Sequence, residues 1–247
     1  MRRRDGPHGD SSMKIFGLNV GGNSSSSNGR GWTEAAIGEF RYLPIEEVAE
    51  LDQQPVTFRD LHFDDVKYPH LPAHYDPEFE TFTYGHKRRG FGDSRLWALA
   101  PGDILFFFST LDLLPDKKKW SVYIIGHFVV ERTVDTRGWT PGQVKSLGGF
   151  DRNAHLKHKN PGLHLDLLIK GSAGSGLYRH ALPLSHAADV TRLHPDLVGK
   201  LTTPTGKPVA GRNWWRWLLC SEAESLRSLL MSQPTRAPVG VGGSLEL

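Results

Sequence analysis

Alternating apolar and polar positions in MKIFGLNV, ending in a Gly-Gly pair, predict a first β-strand. A loop rich in Gly, Ser and Asn, GGNSSSSNGRG, follows, and EFRYLPI predicts a second strand stopped at Pro44. IEEVAELDQ is patterned for a short helix. Prolines at 55, 69, 72 and 77 exclude a continuous helix or central strand over PVTFRDLHFDDVKYPHLPAHYDP, yet Phe58, Leu61, Phe63, Tyr68 and Leu71 mark it as an ordered loop region. RLWAL reads as a short helix, Gly102-Asp103 as a tight turn, and ILFFFSTLD as a buried strand. WSVYIIGHFVVERTVD, enriched in β-branched and aromatic residues, predicts a second long strand, paired with the first as an antiparallel hairpin across LLPDKKK. The stretch TRGWTPGQVKSLGGFDRNAHLKHKNPG is loop-rich with at most a helical turn. LHLDLLIKG and LYRHALPLS then read as strands. CSEAESLRSLLMSQP reads as a helix, with a capping box from Ser221 to Glu224 and an apolar stripe at Leu226, Leu229 and Leu230.

Four or five strands with few long helices predict an α+β fold built on a mainly antiparallel sheet or small barrel, with long ordered loops. Strand and helix do not alternate regularly enough for a doubly wound sheet. The organisation expected is a flexible extension at 1–12, a main domain at 13–200, a helical addition packed on it at 201–233, and a disordered tail at 234–247. With 247 residues, 38% of them hydrophobic, the chain can bury a sizeable core, and no apolar run is long enough to span a membrane. The basic N-terminus lacks the apolar stretch of a secretory signal, and the single cysteine, Cys220, forms no internal disulfide; both point to the cytoplasm. The net charge of +3 divides into −3 over residues 1–100 and +6 over the remainder, a split suited to meeting phosphate on one face.

Two stretches carry a resemblance. LAPGDILFFFSTLD at 99–112 and YIIGHFVVERTVD at 123–135 resemble the hairpin of PUA-like barrels, most closely the EVE and ASCH branches, whose members are associated with RNA or modified nucleobases. Over a longer span, YLPIEE, TFRDL, HYDPEFETFTYG, the PGDILFFF hairpin, NAHLK and HALPLS occur in the order seen in the nucleotide modification associated domain, type 3. The similarity runs from Met13 to Ser185. It implies a nucleic acid or nucleotide partner and companion proteins of a DNA modification system, and it names no cofactor.

The candidate chemistry starts in YDPEFETFTYG, residues 75–85. On an extended strand Glu78, Glu80 and Phe82 would share one face and Phe79, Thr81 and Thr83 the other. Asp76, before Pro77, is set in a turn. Asp76, Glu78 and Glu80 beside Tyr84 can accept from the amino edge of a base, act as general acid or base, or hold a divalent ion through oxygen; they can equally be a turn cap and solvated acids. Phe106, Phe107 and Phe108 cannot all face one core in a strand, so a ring such as Phe107, with Ser109 beside it, is expected on an open face where a base can stack. Trp97, Trp120 and Tyr123 are further stacking candidates.

FDRNAHLKHKNPGLHLD gathers Arg152, Asn153, His155, Lys157, His158, His164 and Asp166. Its H-x-x-H pair and later H-x-D are broken by Pro161-Gly162 and lack the helical spacing of HExxH, so no metal is expected. A nucleotide contact fits better: Asn153 pairs with a base edge, Lys157 meets phosphate, and His155 joins the acids in proton transfer. Gly and Ser around Ser172 and Ser175 with Arg179 form either an anion nest or a hairpin turn. Trp214, Trp215 and Trp217 around Arg216 anchor a terminal helix or a partner. No GxSxG elbow, kinase signature or dinucleotide fingerprint is present. Three readings stay open: recognition of a modified base, an enzyme acting on a base, and a scaffold.

Overall fold

The computed structural model describes residues 13–22, 26–34, 39–87, 91–116, 118–186, 189–202, 217–220 and 223–236. In its first half the strands are β1 (Ile15–Asn19), β2 (Gly31–Glu34), β3 (Glu39–Arg41), β4 (Ile45–Glu46), β5 (Ala73–His74), β6 (Thr83–His86) and β7 (Ile104–Leu113). The second half contributes β8 (Trp120–Asp135), β9 (Leu167–Gly171), β10 (Gly176–Pro183), β11 (Ser185–His186), β12 (Asp189–Leu193), β13 (Leu201–Thr202) and β14 (Trp217–Cys220). Among the described residues three short α-helices accompany them: α1 (Pro141–Lys145), α2 (Pro161–His164) and α3 (Ala223–Met231). The fold is α+β, dominated by one large sheet of order β13-β14-β1-β7-β8-β9-β6, with β2, β3 and β10 attached beside it. No helix among the described residues is long and apolar enough to cross a membrane.

The hairpin at the centre forms as its pattern predicts: β7 and β8 pair antiparallel from Ile104↔Val129 to Asp112↔Trp120. Pairing is otherwise antiparallel except at the free edge of β7, where β1 and then β2 run parallel to it. The Gly102-Asp103 turn is architectural. Gly102 takes a positive φ of 92°, and the Asp103 carboxylate accepts from the backbone N–H groups of Lys14 and Ala100, each at 2.8 Å, fastening β1 beside β7.

The expectation of an open aromatic face on β7 is overturned. Phe106, Phe107 and Phe108 are all fully buried, because both faces of this strand are covered and neither is left to solvent. Phe107 packs edge-on against Phe128 at 4.7 Å and Phe79 at 5.6 Å between ring centroids. Phe106 fits on its own side because Gly17 of β1 has no side chain; a Cβ there would sit 2.3 Å from the ring. Helix α3 adds Leu226 and Leu230 to the same core. It is tied by Tyr178, whose hydroxyl reaches Leu230 O at 3.2 Å and His127 Nδ1 at 3.1 Å. Burial holds His127 down to about 4, so it sits neutral in this network.

Other local expectations change for identifiable reasons. IEEVAELDQ is not helical: Ile45–Glu46 is strand β4 against β5, and the backbone beyond it bonds to another segment, with Asp52 N donating to Lys157 O and Lys159 N to Glu50 O. The GRG end of the Gly/Ser loop leads into strand β2. Residues 201–202 and 217–220 add two strands to the sheet edge ahead of the expected helix. Ser221, Trp214, Trp215 and Arg216 lie outside the described residues. Past Pro234, Thr235 bridges to Tyr178 and Arg236 caps Phe40 O at 2.9 Å, while 237–247 also lie outside the description.

Phe107→Ala would leave a void between two covered faces. The expected loss is about 3–5 kcal/mol of unfolding free energy, read from urea denaturation.

Candidate functional site

Two irregular regions meet over the β6–β9 edge of the sheet, each with its own small core. Leu43, Phe58, Phe63 and Ala73 pack within the proline-rich region. Val144, Phe150, Leu156, Leu165 and Leu168 pack within the region after β8. These separate cores make the loops rigid enough to hold polar side chains between them. Lacing across the seam is dense: Leu51 bridges His158, and Lys159 Nζ meets Glu50 at 2.7 Å.

Asp76 is the node of the seam. Its buried carboxylate accepts from Gly85 N with both oxygens at 3.1 Å, from Asn153 Nδ2 at 3.1 Å, and lies 3.3 Å from His155 Nε2. Burial lifts its pKa to about 7, against the opposing pull of His74, the Gly85 N–H and the Asn153 amide. Gly85 is required by close approach, since a Cβ would stand 2.2 Å from the His155 ring.

Glu78 and Glu80 do not share the face of an extended strand. Glu78 and Thr83 exchange backbone hydrogen bonds at 2.9 Å in both directions, closing a tight turn in which Phe82 has a positive φ of 57°. The Glu78 carboxylate turns inward and accepts from the N–H groups of Glu80 and Thr81 and the hydroxyls of Thr81 and Thr83. Its bonding capacity is spent on the turn it closes. Glu80 and Glu78 both line a cavity of about 40 Å³ that opens to solvent, together with Tyr75, Glu47, Arg152 and Lys157.

Arg152 Nη2 stands 2.9 Å from Glu80 Oε2, with the Glu80 side chain 8% and the Arg152 side chain 41% exposed. Burial, and after it the neighbouring Glu78, outweigh Arg152 and raise the Glu80 carboxyl to about 7. Burial and Arg152 lower the Lys157 ammonium, and burial with Glu80 and Glu78 raises the Tyr75 hydroxyl. The wall thus offers a carboxyl that exchanges a proton near neutrality beside two cations.

Behind the cavity stands a histidine cluster. Glu47 Oε2 meets His74 Nδ1 at 2.6 Å and His158 Nε2 at 2.8 Å. Burial would raise Glu47, but the hydrogen bonds from His158 and His74 outweigh it and hold the carboxyl well below its ordinary value. The His74 ring lies 4.6 Å from that of His155, which is 5.2 Å from His158, itself 4.9 Å from His164. Burial, then the neighbouring His74 and His158, keep His155 neutral. Two groups have metal-ligand character, Glu47/His74/His158 and His74/Asp76/His155, the ligand atoms of each lying within 4.8 Å of one another.

Acids, cations and histidines converge here on the segments HYDPEFETFTYG and NAHLK, which carry the sequence resemblance. The family model described as nucleotide modification associated domain 3 matches residues 14–233. The chain belongs to that family. No curated protein and no solved structure matches the chain. A nucleotide-modification-associated role follows from the family's description.

Within this member of the family, Asp76 stands beside His155 and Glu80 lines the cavity with Lys157, while Glu78 serves the turn. Asn153 reaches the seam but has no free edge for a base: its amide donates to Asp76 and Thr83, and its oxygen accepts from His155 N at 3.1 Å. Tyr84 is buried against Phe107, with its hydroxyl 3.1 Å from His86 Nδ1. Phe107 and Ser109 are core residues of β7, removed from the cavity. Arg179 is an exposed residue of β10, its backbone bonded to Pro234 and Arg236. Ser172 and Ser175 form a turn bonded to Val129. Trp120 packs under Arg30 and Trp97 beside His86. Sequence reasoning passed over Glu47, His74 and Tyr75. Their one signal was membership of the segments that carry the resemblance, since Glu47 ends YLPIEE and His74 and Tyr75 open HYDPEFETFTYG; no motif spacing links them.

Two outcomes test this geometry. The folded Glu80 carboxyl keeps its proton to a higher pH than the unfolded one, so the folded state binds more protons between pH 4.5 and about 7 and loses stability as pH rises through that window. Glu80→Gln is expected to remove this loss and to gain on the order of 1–2 kcal/mol at pH 8 relative to pH 5 in denaturation curves. Gly85→Ala is expected to displace His155 and cost about 1–3 kcal/mol, with the His155 ring resonances shifted in NMR spectra.

Proposed function

We propose that this protein binds a single nucleobase, free in a nucleotide or carried by nucleic acid, in the cavity between Tyr75, Glu80, Arg152 and Lys157. The observation that supports it most is the Glu80–Arg152 pair at 2.9 Å on the cavity wall. A base edge presents donors and acceptors side by side, and a carboxyl next to a guanidinium offers the complementary pair. The cavity has room for a few waters. A heterocycle enters by displacing them and drawing Glu80 and Arg152 apart only far enough for its edge to bond to both. Lys157 and Arg152 then supply positive charge for a phosphate at the mouth.

A second reading, processing of the base, draws on Glu80 as a group that gives or takes a proton near neutrality beside the bound ring. The nucleobase reading also accommodates a PUA-like kinship of the β7–β8 hairpin, although its buried phenylalanines serve the core. A cytoplasmic setting, among companion proteins of a DNA modification system, suits a chain with one cysteine.

Incubation with nucleotide pools and short single- and double-stranded DNA carrying natural and modified bases, followed by mass spectrometry, tests both readings. Retention at unchanged mass supports recognition, and a changed mass supports processing. Arg152→Ala is expected to weaken retention about 10-fold or more, and Glu80→Gln to alter which base is preferred. Absence of any retained base or nucleic acid would overturn the proposal.

A further inference from the structure

The cavity wall accounts for Glu80, Arg152 and Lys157 but leaves the histidine cluster unexplained. Three imidazoles, His74, His155 and His158, stand in mutual ring contact beside two carboxylates, and His164 packs on His158. Two of their ring nitrogens, His155 Nδ1 and His158 Nδ1, are buried without a hydrogen-bond partner. A buried polar atom left unmade costs about 1–3 kcal/mol. A structural core would fill this space with apolar side chains at no such penalty; the nitrogens that face Glu47 are two others, His74 Nδ1 and His158 Nε2, and their convergence on one carboxylate oxygen is what points to a cation.

We infer that Glu47, His74 and His158 hold one divalent transition-metal ion of the zinc type. Two imidazoles and one carboxylate form a donor set that suits zinc and neighbouring first-row ions and leaves coordination positions open. The three residues come from β5, from the segment after β4 and from the Asn153–His158 turn, and their ligand atoms already lie within 4.8 Å of one another. Glu47 Oε2, which both histidines reach, is the atom on which the ion would displace two hydrogen bonds. Asp76 and His155 form a second such group with His74, and would serve as the kind of outer partner that fixes a ligating histidine's tautomer. Glu47 also lines the cavity. The open coordination positions therefore adjoin the space assigned to the base. The inference goes beyond the base-binding reading and does not depend on it.

The test uses the full chain, stripped with a chelator and titrated with Zn²⁺ and Co²⁺ at neutral pH. Expected results are one ion retained per chain by mass spectrometry of metal content, a Co²⁺ absorption band of a low-coordinate nitrogen/oxygen site, and a raised melting temperature with Zn²⁺. Glu47→Gln and His158→Gln are each expected to weaken the ion by about 100-fold or more. Should either variant fail to fold, the titration of the unaltered chain still decides. No retained ion and no cobalt band overturns the inference, as does undiminished binding in a folded His158→Gln chain, which would place the ion elsewhere. Base retention measured on the stripped chain separates the two proposals: an ion without a base defeats only the cavity reading, and a base without an ion defeats only this one.

Discussion

A carboxylate taken out of water has to be met by donors, and at Asp76 three residues from two separate stretches of chain supply them. Gly85 brings its backbone N–H from β6, Asn153 its amide and His155 its ring from the loop after β8. Removing any one would strand a buried polar group, so the requirement fixes where the two irregular regions sit relative to each other. Glu80, His74 and His158 take their places as a consequence. The polar seam is specified by satisfaction of hydrogen bonds, where the rest of the molecule is specified by packing.

That packing is centred on β7. Burying a phenylalanine contributes about 1.5–3 kcal/mol, and three successive ones are buried here only because β1 and β2 run alongside on one edge, β8 on the other, and further elements cover both faces. The sheet keeps its aromatic surface inside and gives it to rigidity. The polar chemistry is left to the loops, whose small cores hold charged side chains at fixed positions. This division explains why the polar cluster can carry so many titratable groups without destabilising the fold as a whole.

How much was legible in the sequence varied with the range of the forces involved. The β7–β8 hairpin, β9, β10 and the C-terminal helix follow from local periodicity, and each forms. The acid cluster was recognisable as a group, but its internal roles were not: Glu78 closes a turn and Glu80 faces the cavity because Phe82 adopts a positive φ, a choice that no strand pattern announces. Asn153 reads as a base-pairing amide in isolation, and in the fold it is consumed by Asp76 and Thr83. Glu47 and His74 are 27 residues apart and His158 is 111 residues from Glu47, so their meeting has no spacing signal at all.

The chain alone determined the class of fold, the order of its main strands and the two polar stretches on which chemistry could rest, because hydrophobic alternation and turn residues act over a few neighbouring positions. Tertiary structure decided which of those polar groups are spent and which remain available, and it converted an expected stacking face into core. The physical reason is that burial and partnership are properties of surfaces brought together from distant segments, and the same Asp, Asn or Phe becomes a support or a contact according to what covers it.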